Sequence, residues 1–366
     1  MNKNIFKDKT VLITGHTGFK GSWLSLWMSN LGANVIGVSL DIPSTPSNFS
    51  ASSVKDAVQS FYADIKDFDG LLILIKKIQP DFVFHLAAQA LVKASYDNPL
   101  ETMMTNAIGS SNVLNALRYI DKKVITVMIT SDKVYDNVEW VWGYRETDRL
   151  GGQDPYSASK GMAELAIKSF LKSYFDKPES NISIGIARAG NVIGGGDWAL
   201  DRIVPDCMKA WSDNKIVPIR SPSATRPWQH VLEPLSGYIS LAIKLNDCID
   251  IHGEAYNFGP SSDQNYSVSQ LIDEMSKYWN QVKWKNVSIN KTHVHEAGLL
   301  KLNCDKSLFD LNWSSTLKFE ETVKMTVDWY KEYYENPDKS LYNYTINQIN
   351  EYTKLANSRG IYWTKR

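Results

Sequence analysis

The sequence predicts a doubly wound α/β fold, a parallel sheet between helical layers with a smaller, loop-rich α/β substrate-binding part. Three observations carry that expectation. Short β-branched runs alternate with amphipathic stretches through the first half, as βαβ crossovers require. A glycine-rich turn joins the first such run to the first helical stretch. After Arg188 the texture changes, with Gly194–Gly196 followed by Pro205, Pro218, Pro222, Pro227 and Pro234. Loop-rich segments on a rigid scaffold are where substrate sites are built.

The elements follow in order. Thr10–Thr14 (TVLIT) reads as a buried strand. Trp23, Leu24, Trp27, Met28 and Leu31 recur at helical spacing and stop at Gly32, so both tryptophans are expected in a core. Asn34–Leu40 is a second strand, and Leu71–Ile78 belongs to a helix ending before Pro80. Asp81–Ala87, Val124–Thr130 and Ile182–Ala187 are further strands. The tail beyond Glu335 is polar and tyrosine-rich, and Ile346, Ile349, Tyr352 and Leu355 make a helical stripe suited to packing. Residues 1–187 are expected to bind nucleotide, with a returning segment near 228–260. Residues 188–227 and 261–366 are expected to bind substrate.

Composition narrows the function. The 366 residues hold 40 Lys+Arg against 40 Asp+Glu. Zero net charge argues against bulk attraction to nucleic acid or anionic membrane, while leaving room for a local anion site. Cys207, Cys248 and Cys304 have no CxxC spacing, which excludes a disulfide framework and a zinc ribbon. The opening residues MNKNIFKDK lack a signal-peptide pattern, and no apolar run approaches the ~20 residues that span a bilayer. A cytoplasmic protein is expected.

Thr14-Gly15-His16-Thr17-Gly18-Phe19-Lys20-Gly21 follows the first strand and opens the first helix. Its GxxGxxG spacing serves a tight turn, close approach of backbone to a pyrophosphate and a helix N-terminus aimed at the anion. In this strand–turn–helix context it reads as a Rossmann-type dinucleotide loop. Asp41 ends the second strand, where a carboxylate accepts hydrogen bonds from ribose hydroxyls and repels a 2′-phosphate, favouring NAD over NADP. Asp64 and Ile65 fall where another strand should end, and either hold the adenine or lie in a solvated loop.

Tyr156 and Lys160 lie in Pro155-Tyr156-Ser157-Ala158-Ser159-Lys160. Asp154 suits an N-cap and Pro155 a first turn. A spacing of four puts phenol and ammonium on one helix face, where the lysine is expected to lower the phenol's pKa toward general-base use. Ser131-Asp132-Lys133 closes another strand, at the rim where open α/β sheets bind ligands. A hydroxyl, a carboxylate and an amine in succession are hard to explain as packing.

At this point the residues match a known family. TGHTGFKG (14–21), HLAAQ (85–89), TSDKVYDN (130–137), DPYSASK (154–160) and ARAGNVIGGGDWALDRIVPD (187–206) together resemble the extended short-chain dehydrogenase/reductases. Within them the chain is similar to the nucleotide-sugar 4,6-dehydratases. Lys133 resembles the branch acting on CDP-glucose, since dehydratases of dTDP-glucose or GDP-mannose carry glutamate there. Arg226–Val231 and the run from His295 to Leu302 resemble that branch too.

The resemblance implies NAD as cofactor, contacted by Gly15, Gly18, Phe19, Gly21, Asp41, Asp64, Ile65, Ala87, Tyr156 and Lys160. It implies that Tyr156, assisted by Ser131, takes the C4 hydroxyl proton while NAD accepts the C4 hydride. Lys133 then removes the C5 proton, Asp132 protonates the departing C6 hydroxyl, and the hydride returns to C6. Free lysine titrates near ~10.4, so a base at Lys133 calls for a water-poor site with like charge nearby.

Arg202 and Arg226 are the candidates for the substrate's diphosphate, because a guanidinium engages phosphate oxygens bidentately; a surface salt bridge is the alternative for each. The resemblance adds Asn191, and Gln89 is expected to face the sugar. His293, His295 and Glu296 lack a nearby third histidine or cysteine, so no metal is expected. His85 belongs to the core or lines the cofactor cleft. Gly194–Gly196 either cradles phosphate or simply turns. By resemblance, helices around 99–118 and 155–175 form a four-helix interface in a homodimer or dimer of dimers. The rival readings are a nucleotide-sugar 4-epimerase, a dehydratase of another nucleotide sugar, and a non-catalytic dinucleotide-binding protein. The Asp132-Lys133 pair counts against an epimerase.

Overall fold

A computed structural model of the chain describes residues 4–177, 179–287 and 299–361. Seven strands form one sheet: β1 (Thr10–Thr14), β2 (Asn34–Ser39), β3 (Gln59–Tyr62), β4 (Phe82–His85), β5 (Val124–Ile129), β6 (Ile182–Ala189) and β7 (Ala255–Phe258). Their order is β7-β6-β5-β4-β1-β2-β3, and every pairing is parallel. The order reverses beside β1, so the carboxyl ends of β1 and β4 open the crevice where such sheets bind ligands.

Strand periodicity divides the core between two faces. Val11 and Ile13 of β1, Phe82 and Phe84 of β4, and Ile125, Val127 and Ile129 of β5 join one cluster. Leu12, Val83, Val124 and Met128 join the other. Successive side chains point to opposite faces, and both faces are covered, so these strands are apolar throughout.

The helices that matter for the site are α1 (Phe19–Asn30), α2 (Phe68–Ile78), α3 (Gly109–Leu117), α4 (Pro155–Phe170), α5 (Ile203–Ser212), α6 (Leu232–Asp247), α7 (Phe319–Glu335) and α8 (Tyr342–Ser358). In α1 every residue from Gly21 to Met28 is buried, including Trp23 and Trp27. A helix buried all round needs cover on both sides. The sheet supplies one side and α8 the other. Trp27 meets Tyr352 edge-on at 5.8 Å, and Asn30 bonds Asn350 at 3.0 Å. The tail helix is thus the packing helix its stripe predicts, and it packs against α1. No helix among the described residues is long and apolar enough to cross a membrane.

Candidate active site

The loop after β1 is shaped by close packing. Gly15 has φ +77, and a Cβ there would lie 2.7 Å from the backbone nitrogen of Ala87, so only glycine lets the loop lie against the end of β4. Gly18 is the N-cap of α1 and supplies no side-chain cap, and the first turn has no acidic residue. The leading N–H groups of α1, from Phe19 to Gly21, are therefore left for an anion. Beneath the loop, His16 bridges Ser39 (Nδ1, 2.8 Å) and Ser60 (Nε2, 2.9 Å), and burial lowers its pKa to about 4. It acts as a neutral brace between β2 and β3.

The remaining cofactor candidates ring the same edge. Asp41 is exposed just past β2, and its carbonyl accepts the Thr17 hydroxyl. Asp64 accepts the backbone N–H of Lys66 at 2.8 Å and lies 3.5 Å from its ammonium, while Ile65 is buried beside it. Ala87 donates its N–H to Thr14 Oγ1. His85 is held in the core between Thr14 (2.7 Å) and Ser110 (2.9 Å).

Asp154 caps α4 by accepting the Ser157 N–H at 2.9 Å, and Tyr156 and Lys160 share one buried face of that helix. Among the described residues Lys160 forms no hydrogen bond or ion pair, although it is only 6% exposed. Burial lowers it to about 8, against the pull of Glu164. A buried ammonium without a protein partner fits a ribose or sugar hydroxyl supplied by a ligand.

At the end of β5, Ser131 Oγ donates to Asp132 Oδ1 (3.0 Å) and accepts the Lys133 N–H (3.2 Å). Ser131 and Asp132 are buried and Lys133 is half-buried. Ser131 and Asp132 act on Tyr156. Burial raises its phenol to about 12, while a Ser131 hydrogen bond and the Arg202 charge oppose the rise and Asp132 adds to it. The sequence-based expectation of a lowered phenol is thus corrected. Desolvation of the phenolate outweighs every nearby cation.

Arg202 does form a salt bridge, at 2.8 Å to the buried Asp197, yet its side chain stays 35% exposed. Its charge acts on both Tyr156 and Lys20, which places it at the cleft. Arg226 sits on a short ribbon paired with Tyr266 and donates to the Thr225 carbonyl at 2.8 Å. Asn191 is exposed just beyond β6. The amide of Gln89 is occupied locally, donating to the Leu91 carbonyl (2.9 Å) and Thr102 (3.0 Å), so it shapes its loop. Gly195 packs: a Cβ there would lie 2.0 Å from the Trp329 ring, and its carbonyl accepts the Trp23 indole N–H. His293, His295 and Glu296 lie outside the described residues.

One residue escaped the sequence reading. Lys20, in the first turn of α1, reaches Tyr238 Oη at 3.5 Å. Burial lowers it to about 8, as do the charges of Arg202 and Lys160, while Asp132 opposes them. The signal was a cation inside a glycine-rich anion loop.

Comparison with known proteins agrees with this geometry. Residues 12–326 match the family described as GDP-mannose 4,6 dehydratase. A CDP-glucose 4,6-dehydratase of Salmonella typhimurium is 44% identical over 342 residues, covering 92% of this chain and 95% of the relative. A CDP-paratose 2-epimerase of Salmonella typhi is 22% identical, covering 87% of this chain and 98% of its own. Among solved structures, a Bacillus anthracis dTDP-glucose 4,6-dehydratase in complex with NAD superposes with TM-score 0.74 at 20% identity, over 88% of this chain and 97% of that one.

Proposed function

We propose that this chain, which belongs to the GDP-mannose 4,6-dehydratase family within the extended short-chain dehydrogenase/reductases, converts CDP-glucose to CDP-4-keto-6-deoxyglucose and water. The observation that carries this reading is the juxtaposition of Ser131, Asp132 and Lys133 with Tyr156 and Lys160. A hydroxyl-oxidising pair and an elimination pair meet at one strand end. The 44% identity to a CDP-glucose 4,6-dehydratase supports the nucleotide.

The uncapped α1 terminus, the glycine contact at Ala87, exposed Asp41 and partnerless Lys160 fit a bound dinucleotide. NAD, when bound there, accepts the C4 hydride and returns it at C6. The chain's own residues handle protons. Tyr156, with Ser131 beside it, takes the C4 hydroxyl proton as the phenolate, the Lys160 cation and the positive charge of the bound nicotinamide offsetting the burial that raises the phenol. The C4 ketone acidifies C5–H, and Lys133 removes that proton. Asp132 protonates the C6 hydroxyl as it leaves as water. Reprotonation at C5 completes a redox-neutral turnover, so no external oxidant is consumed. Arg202, open to the cleft, and Arg226 take the diphosphate, and Asn191 lies on the same rim.

The apolar, exposed Leu100, Met104, Ile108, Met162 and Leu165 support a homodimer through these helices, or a dimer of dimers. A chain of zero net charge suits a cytoplasmic enzyme, and its product suits deoxysugar supply for surface polysaccharide such as O-antigen. Incubation with CDP-glucose and NAD should generate the alkali-dependent absorbance of a 4-keto sugar. Product from a different nucleotide sugar alone would overturn the nucleotide assignment, and turnover with none would leave a binding protein.

A further inference from the structure

Behind the catalytic groups lies a fully buried network that the proton transfers do not use. Arg188 of β6 and Glu164 of α4 form an ion pair with both side chains 0% exposed. Arg188 Nε also donates to Glu164 Oε1 at 2.7 Å, and Nη1 donates to Tyr135 Oη at 2.7 Å and to the Glu146 carbonyl at 3.1 Å. The Tyr135 hydroxyl donates a hydrogen bond to Asn257 Oδ1 at 2.7 Å, on β7. Thr130 Oγ1 donates to Glu164 Oε1 at 2.7 Å.

The sequence positions of these partners give the network its meaning. Thr130 immediately precedes Ser131, Tyr135 caps the short turn holding Asp132 and Lys133, and Glu164 stands one helical turn beyond Lys160. One carboxylate therefore ties the strand end to the helix, and one guanidinium ties both to β6. Isolated buried pairs of this kind are weak evidence for stability, since an apolar replacement often serves as well. Their value lies in fixing geometry, and catalysis is sensitive to displacements of ~1 Å.

We propose that Glu164 and Arg188 are positioning residues, which hold Ser131–Lys133 against Tyr156 and Lys160, and that the Glu164 charge keeps Lys160 a cation. The positioning half rests on the reading above, whereas the charge half does not depend on any substrate. The groups facing Lys160 are Glu164 on its own helix, with Tyr156 one turn before, Lys20 from α1 and His85 from β4. Of these, Glu164 is the carboxylate that raises its proton affinity against the cost of burial.

The test uses the double variant Glu164→Gln/Arg188→Met, which removes both charges with similar volume, and Thr130→Val, which removes a single hydrogen bond. The Lys160 ammonium is titrated by NMR in protein labelled at lysine Cε, its resonance assigned with Lys160→Met. Its midpoint should fall by about one pH unit in the double variant, a tenfold change in proton affinity, and stay put in Thr130→Val. In turnover assays Thr130→Val should lower kcat several-fold with KM unchanged. An unmoved midpoint in the folded double variant overturns the charge role, and an unchanged kcat in Thr130→Val overturns the positioning role. If the double variant fails to fold, Glu164→Gln alone carries the titration. If the parent shows no dehydration, the NMR arm still decides the charge role, so that failure is distinguishable.

Discussion

Two arginines fourteen residues apart each hold a buried carboxylate, and they do opposite things. Arg188 is enclosed with Glu164 at 0% exposure and directs four of its five N–H groups to Glu164, Tyr135 and the Glu146 carbonyl. Arg202 is anchored by Asp197 on one side and keeps about a third of its side chain open. The first has nothing left to offer a ligand. The second keeps exposure to spare while its charge reaches Tyr156, which is why the proposed function gives it the diphosphate. The same kind of ion pair can thus serve as scaffold or, on that proposal, as receptor.

Substitutions can break that contrast, beginning with the largest effect. Arg188→Met strands the Glu164 carboxylate in the core, where breaking a buried pair costs about 3–5 kcal/mol. Denaturant unfolding should show this loss, and adding Glu164→Gln should restore most of it. Arg202→Met should cost less stability than Arg188→Met, because Asp197 keeps the Ala199 N–H at 3.1 Å, but weaken binding of the nucleotide sugar ~10–100-fold, since a hydrogen bond to a charged group contributes about 1.5–3 kcal/mol. Titration calorimetry on the variant reads this, and unchanged affinity would return Arg202 to a purely structural role.

A third carboxylate sharpens the comparison because no arginine pairs with it directly. Glu233 is buried and accepts the Thr316 and Leu317 N–H groups and the Tyr352 hydroxyl. Burial raises it from 4.5 to about 7, against those hydrogen bonds and the charge of Arg359. The folded state therefore holds this proton more tightly than the unfolded one. The stability linked to it is full below about 4.5 and is lost as pH rises through about 7. Between pH 5 and 7 the parent should lose about 2 kcal/mol relative to Glu233→Gln, read from paired unfolding curves. Curves that stay parallel would refute the raised value. The smallest effect is expected for Asp197→Asn, which keeps the Arg202 charge but loosens its anchor. KM should rise a few-fold, about 1 kcal/mol, with kcat unchanged.

How much of this was legible in the sequence follows from the range of each interaction. Thr10–Thr14, Val124–Ile129 and the Tyr156/Lys160 face were legible because period and spacing are local. So was the Asp154 cap, which reaches three residues. Glu164 and Arg188 were not, because their partnership spans two elements and neither residue breaks a local pattern. The tail stripe announced a packing helix, but its target could not be read, since Ser22 and Ser25 of α1 are buried although their polarity suggests an exposed face. Lys20 was overlooked within a motif read for its glycines. The Tyr156 phenol was misjudged because a lysine four residues away is visible in sequence and desolvation is not.

The central claim is that this site eliminates water across C5 and C6 with Lys133 as the base. Its most direct test follows CDP-glucose and NAD in D2O with the parent and with Lys133→Ala. The parent should yield a 4-keto-6-deoxy product carrying one solvent deuterium at C5. Lys133→Ala should still oxidise C4 but neither lose water nor exchange C5. Deuterium entering C5 at the parent's rate in that variant would contradict the assignment of Lys133.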